Sequence, residues 1–268
     1  MDFRKPLVDV LSVAAFFSRL PFWSLRERID QAAPAEPLGR LAWAFPLAGL
    51  LAALPAVLVL AILGQTSLPA PTLATLFVAT MMASTGALHE DGLADLCDGL
   101  GGGRTRERKL EIMRDSTIGT YGALGLIVGV LLRIMALASL IAASSAVLVG
   151  IGYAGIAGIS RAAMLRQWRT SQPARADGLA RSQGTPSASG VATAFAVAVM
   201  IAIFLVAPVF GILPTALSLV ISAAGVLALC RACDKQLGGY TGDTLGAGQQ
   251  IVETSCLVCI SAALGGLS

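Results

Sequence analysis

Apolar runs long enough to cross a bilayer recur along this chain, and only two kinds of connection separate them. The runs fall at roughly 41–63, 72–90, 119–141, 145–163, 190–210, 214–232 and 250–266. A spanning helix needs about 20 mostly apolar residues, so each run is a candidate span. The connections 64–71, 142–144 and 211–213 hold no charged residue, whereas 1–40, 99–118, 164–189 and 233–249 hold most of the charge. Of 19 Lys and Arg residues, only Arg133 lies deep inside a run. Charged residues make up 13% of the chain, about half the usual share in a soluble domain, so too few polar groups exist to cover a water-exposed surface. The expected fold is all-α: one polytopic membrane helix bundle over 1–268, with seven spans. Six also fit, because the last run contains Glu253 and suits a re-entrant segment.

Loops rich in Lys and Arg stay in the cytoplasm. All the charged segments, including an N-terminal segment over 1–40 and a loop over 164–189, are therefore expected there, and the uncharged turns on the other side. An even number of runs separates neighbouring charged segments, so this topology closes without contradiction. The run from Leu7 to Phe17 is interrupted by Asp9 and followed by no small-residue cleavage site. It reads as an interfacial or re-entrant helix rather than a signal peptide. A net charge of +3 gives no reason to expect a nucleic-acid partner; the lipid bilayer is the expected one. Two C-x2-C pairs, Cys230/Cys233 and Cys256/Cys259, lie in apolar helical segments, where the spacing puts two small residues on one face and zinc is not expected. The stretch 171–190 is polar and rich in Gly, Ser and Pro, and is expected to be mobile and to order over a substrate.

The chemistry legible from residue types begins at 89–122, HEDGLADLCDGLGGGRTRERKLEIMRDSTIGTYG. Asp91, Asp95 and Asp98 are spaced so that a helix places them within about 60° of one another. Three carboxylates on one stripe at the end of an apolar run repel each other and are costly to desolvate, and a divalent cation relieves both. Mg2+ prefers carboxylate oxygen and keeps positions open for substrate phosphate. Gly101, Gly102 and Gly103 follow and let backbone approach a bulky anion. Arg104, Arg108 and Arg114 offer guanidinium forks for a diphosphate, although Glu107 and Glu111 make part of this run an ordinary surface helix. Asp115 and Ser116 stand ready to complete the metal site. A second polar cluster at 234–253 sets Asp243 among glycines and Glu253 inside an apolar run. An intramembrane carboxylate is a functional candidate, with Arg133 as an available partner. His89, the single histidine, projects away from the aspartate stripe and is either a substrate contact or a packed residue.

Three pieces of the chain resemble the cobalamin synthase (adenosylcobinamide-GDP ribazoletransferase) family: H-E-D-G-L-A-D-x-x-D-G-L-G-G-G at 89–103, R-x-x-E-I-M-R-D-S-x-I-G-x-Y-G at 108–122, and G-G-x-T-G-D-x-x-G-A at 238–247. FFSRLP at 16–21 and FPLAGLL at 45–51 extend the resemblance almost end to end. It implies a Mg2+-dependent enzyme in the bacterial inner membrane, its active site facing the cytoplasm, that joins adenosylcobinamide-GDP to alpha-ribazole or its 5'-phosphate and releases GMP. On that basis Glu90, Thr241 and Gly242 join His89, Gly101, Gly102, Gly103, Arg108, Ser116, Asp243 and Glu253 as substrate-binding candidates. Asp91, Asp95, Asp98 and Asp115 are the expected metal ligands, and Asp98 or Asp243 the expected proton acceptor. Arg104, Arg114 or Arg161 would counter charge on the leaving phosphate. The spacing D-x3-D-x2-D-G departs from the D-x2-D-G-x2-A-R of CDP-alcohol phosphotransferases, which form the alternative enzyme class. A secondary transporter with Glu253 and Arg133 on an ion path is the alternative outside enzymes. The oligomeric state is left open, a homo-oligomer being compatible with the sequence.

Overall fold

The computed structural model describes residues 4–30, 36–176 and 182–265. Among these, the chain forms helices and a single isolated bridge, between Pro173 and Tyr240. Two short helices come first, α1 (Arg4–Phe17) and α2 (Phe22–Ile29). With 14 residues α1 is too short to span. It buries Val8, Leu11, Val13, Ala14 and Phe17, a helical spacing that gives it one apolar face, and packs on the third helix.

A 3-10 turn, Leu38–Ala44, leads into α3 (Phe45–Leu63), and together they form the first of six helices long and apolar enough to cross a membrane. The others are α7 (Thr120–Ala143), α8 (Ala146–Thr170), α9 (Ala188–Phe210, passing through a π turn at Ala202–Val206), α10 (Ile212–Leu237) and α11 (Gly242–Gly265). Because α8 runs on to Thr170, the loop expected from 164 begins at Ser171. A short helix, α6 (Arg106–Ile112), precedes α7.

The run expected as one span over 72–90 is broken. Helix α4 (Ala70–Thr85) and α5 (Leu88–Gly102) meet at a 90° bend. Gly86 and Ala87 both adopt left-handed backbone, with φ of 62° and 55°, and two such residues in succession turn the chain sharply. The bend turns α5 back alongside the first half of α7, where Cys97 lies against Gly125, Leu93 against Gly129, and Glu90 reaches Arg133.

The exterior is apolar: Leu58, Ile62, Met135, Phe204 and Val220 are each more than half exposed, the pattern of a belt that faces lipid. Inside, small residues bring backbones together. A Cβ on Gly49 would lie 2.5 Å from the Ala157 carbonyl oxygen, and one on Gly158 2.8 Å from that of Pro46, so α3 and α8 cross in near-backbone contact as membrane helices commonly do. Contacts at the ends of the helices sort them by side. Gly64 after α3 abuts Ala146 at the start of α8, while at the opposite end Phe45 of α3 packs on Trp168 of α8, ring centres 5.8 Å apart. The uncharged turns thus share one end of the bundle, and the charged segments, with α5, share the other.

Candidate active site

Helix α5 bears the aspartate stripe, and its central glycine decides what faces it. A Cβ on Gly92 would sit 2.8 Å from the backbone oxygen of Asp243, so only glycine lets the first turn of α11 dock there. Asp91 and Asp95 flank Gly92, and Asp243 is the leading charged neighbour that acts on Asp95, ahead of Asp91 and Asp98. Burial, with those charges added, raises the Asp95 carboxyl to about 7; Arg175 acts against the rise. Two segments about 150 residues apart in sequence thereby contribute to one acidic rim. Thr241 organises the α11 end. Its hydroxyl accepts the Thr244 N–H (3.3 Å) and donates to Asp243 (3.1 Å), while the Thr244 hydroxyl accepts the Thr241 N–H (3.0 Å), a reciprocal cap. Arg175 stands 3.9 Å from the Asp243 carboxylate.

Asp98 has a different occupation. It is buried, and its two oxygens accept the N–H groups of Gly119 (2.7 Å) and Gly122 (2.8 Å). It thus caps α7, whose own N-cap is a glycine without a side chain. A Cβ at Gly119 or Gly122 would run into this carboxylate, which explains both glycines. The glycines after the stripe are likewise accounted for by packing: a Cβ on Gly101 would strike the Tyr121 ring, on Gly103 the Lys109 side chain, and on Gly102 would approach Ile112 at 3.3 Å. Asp115 is exposed, accepts the Thr117 N–H (2.9 Å), and is held below the usual carboxylate range by that bond. Arg104, Arg114 and Ser116 are exposed, and Arg108 pairs with Glu111 at 2.7 Å.

Glu90 and Glu253 belong to a buried network between α5, α7, α8 and α11. Arg133 donates to Glu90 (2.8 Å) and Glu253 (3.2 Å), Tyr153 donates to Glu253 (2.5 Å), and Gln249 bridges Glu253 (2.6 Å) and Ser160 (3.0 Å). Gln250 adds a bond to Glu90 at 3.2 Å. Glu253 is thus Arg-paired, and both its oxygens are used inside the bundle, nearly three helical turns along α11 from Asp243. Arg161 is wholly buried nearby, bonded to the Ala157 carbonyl.

Beside the acidic rim opens a cavity of about 250 Å3. Asp91, Thr241, Gly242, Asp243 and Arg175 border it, and Phe17, Phe45, His89, Trp168 and Tyr240 wall it. A Cβ on Gly242 would meet nothing within 4 Å, so backbone there is open to a ligand. Sequence reading missed the aromatic walls and Arg175. They come from α1, α3, α8 and two loops, which are brought together by the bridge at Pro173 and Tyr240, with Ala174 N–H on Tyr240 oxygen (2.8 Å), and by Arg106, which donates to the Leu237 (2.7 Å) and Ala174 (2.9 Å) carbonyls. Of the stretch expected to order over substrate, residues 177–181 lie outside the described ones. Gln183 is tied down, its backbone oxygen accepting from Gly39 at 3.0 Å.

Among the described residues, no three His, Cys, Asp or Glu side chains converge closely enough to hold a metal by themselves. Mg2+ seldom uses such a cage, binding instead through one or two carboxylates plus substrate phosphates. Asp91 and Asp95 suit that role beside Asp243, and the Asp95 carboxyl, raised to about 7 by burial and then by the charges of Asp243, Asp91 and Asp98, marks a place where a cation would relieve the cost of ionisation.

The profile of the cobalamin-5-phosphate synthase family matches residues 9–261. Relatives named adenosylcobinamide-GDP ribazoletransferase include one from Allorhizobium ampelinum, 44% identical over 96% of this chain and 97% of its own. One from Sinorhizobium medicae is 42% identical over 98% and 99%, and one from Bradyrhizobium diazoefficiens 41% identical over 97% and 95%. No solved structure matches the chain. With a family profile covering nearly its whole length and relatives above 40% identity end to end, this chain is a member of the cobalamin-5-phosphate synthase family.

Proposed function

We propose that the protein is a Mg2+-dependent transferase that joins adenosylcobinamide-GDP to alpha-ribazole, or to alpha-ribazole 5'-phosphate, giving adenosylcobalamin or its 5'-phosphate and GMP. The observation that carries this is the docking of Asp243 on Gly92, which gathers three carboxylates beside a cavity at the charged end of the bundle. Transfer between phosphate esters needs little more than charge neutralisation and in-line placement, and a cation held at this rim would supply the first.

Asp91 and Asp95 would hold Mg2+, which when bound neutralises the diphosphate and draws charge from the bond to be broken. A ribose hydroxyl of the nucleoside attacks the phosphorus that carries cobinamide, the bond from that phosphorus to the bridging oxygen of GMP breaks, and GMP leaves with that oxygen. The hydroxyl proton passes to the Asp243 carboxylate. Arg175, beside Asp243 and on the cavity border where Arg104 and Arg114 are not, would counter charge on the leaving phosphate, and Asp98 acts by holding α7 against α5. The surplus of Lys and Arg in the segments at this end favours a cytoplasmic orientation in the bacterial inner membrane, where water-soluble nucleotides are supplied.

The test is release of GMP from adenosylcobinamide-GDP by washed membranes with alpha-ribazole or its 5'-phosphate, with Mg2+ and with EDTA. Activity should require Mg2+ and fall roughly 10²- to 10⁴-fold in Asp243→Asn, with comparable losses in Asp91→Asn and Asp95→Asn. Release of CMP from a CDP-alcohol instead of GMP would move the protein to the other phosphotransferase class.

A further inference from the structure

The cavity walls carry an unmet demand. Trp168 and His89 are buried, 4% and 2% exposed, and line the cavity, yet the indole Nε1 and the imidazole Nε2 have no hydrogen-bond partner. Arg161 lies seven residues before Trp168 on α8 and so on the same face. Its guanidinium is 5.8 Å from the Phe17 ring, and its Nε and Nη2 are buried and unpartnered. Buried polar groups are almost always satisfied, and indole and guanidinium nitrogens only donate. What is missing is an acceptor.

The walls also define shape. Phe17 and Phe45 meet edge to face at 5.0 Å, Phe45 tilts against Trp168 at 5.8 Å, and His89 stacks on Phe17 at 5.6 Å. Such a box favours a flat aromatic guest. Its volume of about 250 Å3 suits a two-ring base with part of a pentose, not a corrinoid macrocycle. Guanine, the other flat base in the proposed reaction, carries acceptors at O6 and N7 but also N1–H and N2–H2 donors, and carboxylates to take those donors stand only at the rim. A benzimidazole presents the lone pair of its unsubstituted ring nitrogen and no donor at all.

Resting on the reaction proposed above, we infer that this aromatic slot is the subsite for the nucleoside substrate, the benzimidazole lying among Phe17, Phe45 and Trp168 with its free ring nitrogen accepting from the Trp168 indole, and the ribose directed to the rim at Asp91 and Asp243. The aromatic walls that would hold the base carry no carboxylate and stand beside the rim where Mg2+ and diphosphate would bind, so nucleoside binding does not depend on metal.

Calorimetric titration of the purified, detergent-solubilised protein with alpha-ribazole, in EDTA and without corrinoid, tests this. Binding should be measurable in wild type without metal and weaken about tenfold in Trp168→Phe. GMP should not compete. In steady state, Trp168→Phe should raise KM for alpha-ribazole and leave KM for adenosylcobinamide-GDP unchanged. Phe45→Leu, which keeps the wall apolar, should show the same split and covers the case of Trp168→Phe failing to fold. An unchanged Kd in both variants, competition by GMP, or a shift in the corrinoid KM alone overturns the assignment. Absence of GMP release from any substrate pair in wild type would sink the reaction, while metal-independent binding of alpha-ribazole would still report on the slot.

Discussion

Three aspartates one helical face apart do not share one fate. Asp91 and Asp95 look toward Asp243, whereas Asp98 is spent on two backbone N–H groups at the start of α7. This has a structural consequence. Gly122→Ala places a methyl group where the Asp98 carboxylate lies, so the variant should lose about 1–3 kcal/mol of stability, the usual cost of overpacking, seen as a lowered Tm of the solubilised protein. Gly102→Ala, with only the flexible end of Ile112 at 3.3 Å, should scarcely change it. Asp95 supports a prediction about metal instead. Its carboxyl is raised to about 7 by burial and by the charges of Asp243, Asp91 and Asp98, and a protonated carboxyl does not ligate. Mg2+ affinity should therefore fall as pH drops below about 7, by up to about tenfold per unit for one displaced proton, and level off above it. Magnesium titrations at stepped pH should show this inflection in wild type and not in Asp95→Asn. Residue types and spacing made the acidic stripe legible in the sequence, because a helix fixes which side chains share a face. They did not reveal that Asp98 serves as a cap, since that depends on Gly119 and Gly122 in the next helix.

At the scale of elements, hydropathy located the long helices but passed straight over the bend between α4 and α5. Gly86, Ala87 and Leu88 are apolar or neutral, so nothing in a windowed average marks them; the break is a matter of backbone, visible only as left-handed φ values. A Cβ on Gly86 would also strike the Arg19 side chain. Gly86→Ala should cost about 1–2 kcal/mol from the left-handed conformation alone, and kcat should fall with it because the bend aims the aspartates. The network below the bend locks α5 to α7 and α11. Arg133→Gln leaves Glu90 and Glu253 buried without their cation, and breaking one side of such a group typically costs about 3–5 kcal/mol. Adding Glu253→Gln should restore part of that loss, which denaturation of the single and double variants would measure. The pairing of Arg133 with Glu253 was readable from charge scarcity, since an apolar run offers so few partners. Inclusion of Glu90 was not, because it follows from the bend.

For the whole molecule, the sorting of ends makes sidedness the deciding property. The turns after α3 and α7 share one end, and the stripe on α5, the start of α11 and the aromatic slot share the other. Seven crossing legs follow if α4, with 16 residues and about 24 Å of rise, carries the chain back between α3 and α7; the two flanking spans leave it no other route. The transferase proposed here takes nucleotide substrates, so on that proposal its rim faces the compartment that holds them, the cytoplasmic side that the Lys- and Arg-rich segments favour. Single cysteines introduced in place of Thr66 and Ser145 lie in the uncharged turns, and in place of Arg104 and Arg114 beside the rim. An impermeant maleimide applied to intact cells should modify the first pair above the background of the native cysteines, measured on the parent protein, and should reach the second pair only after the membrane is opened. Modification of Arg104→Cys in intact cells would turn the rim outward, away from GDP-linked substrates, and no rearrangement within the bundle could then reconcile the carboxylates with the chemistry assigned to them.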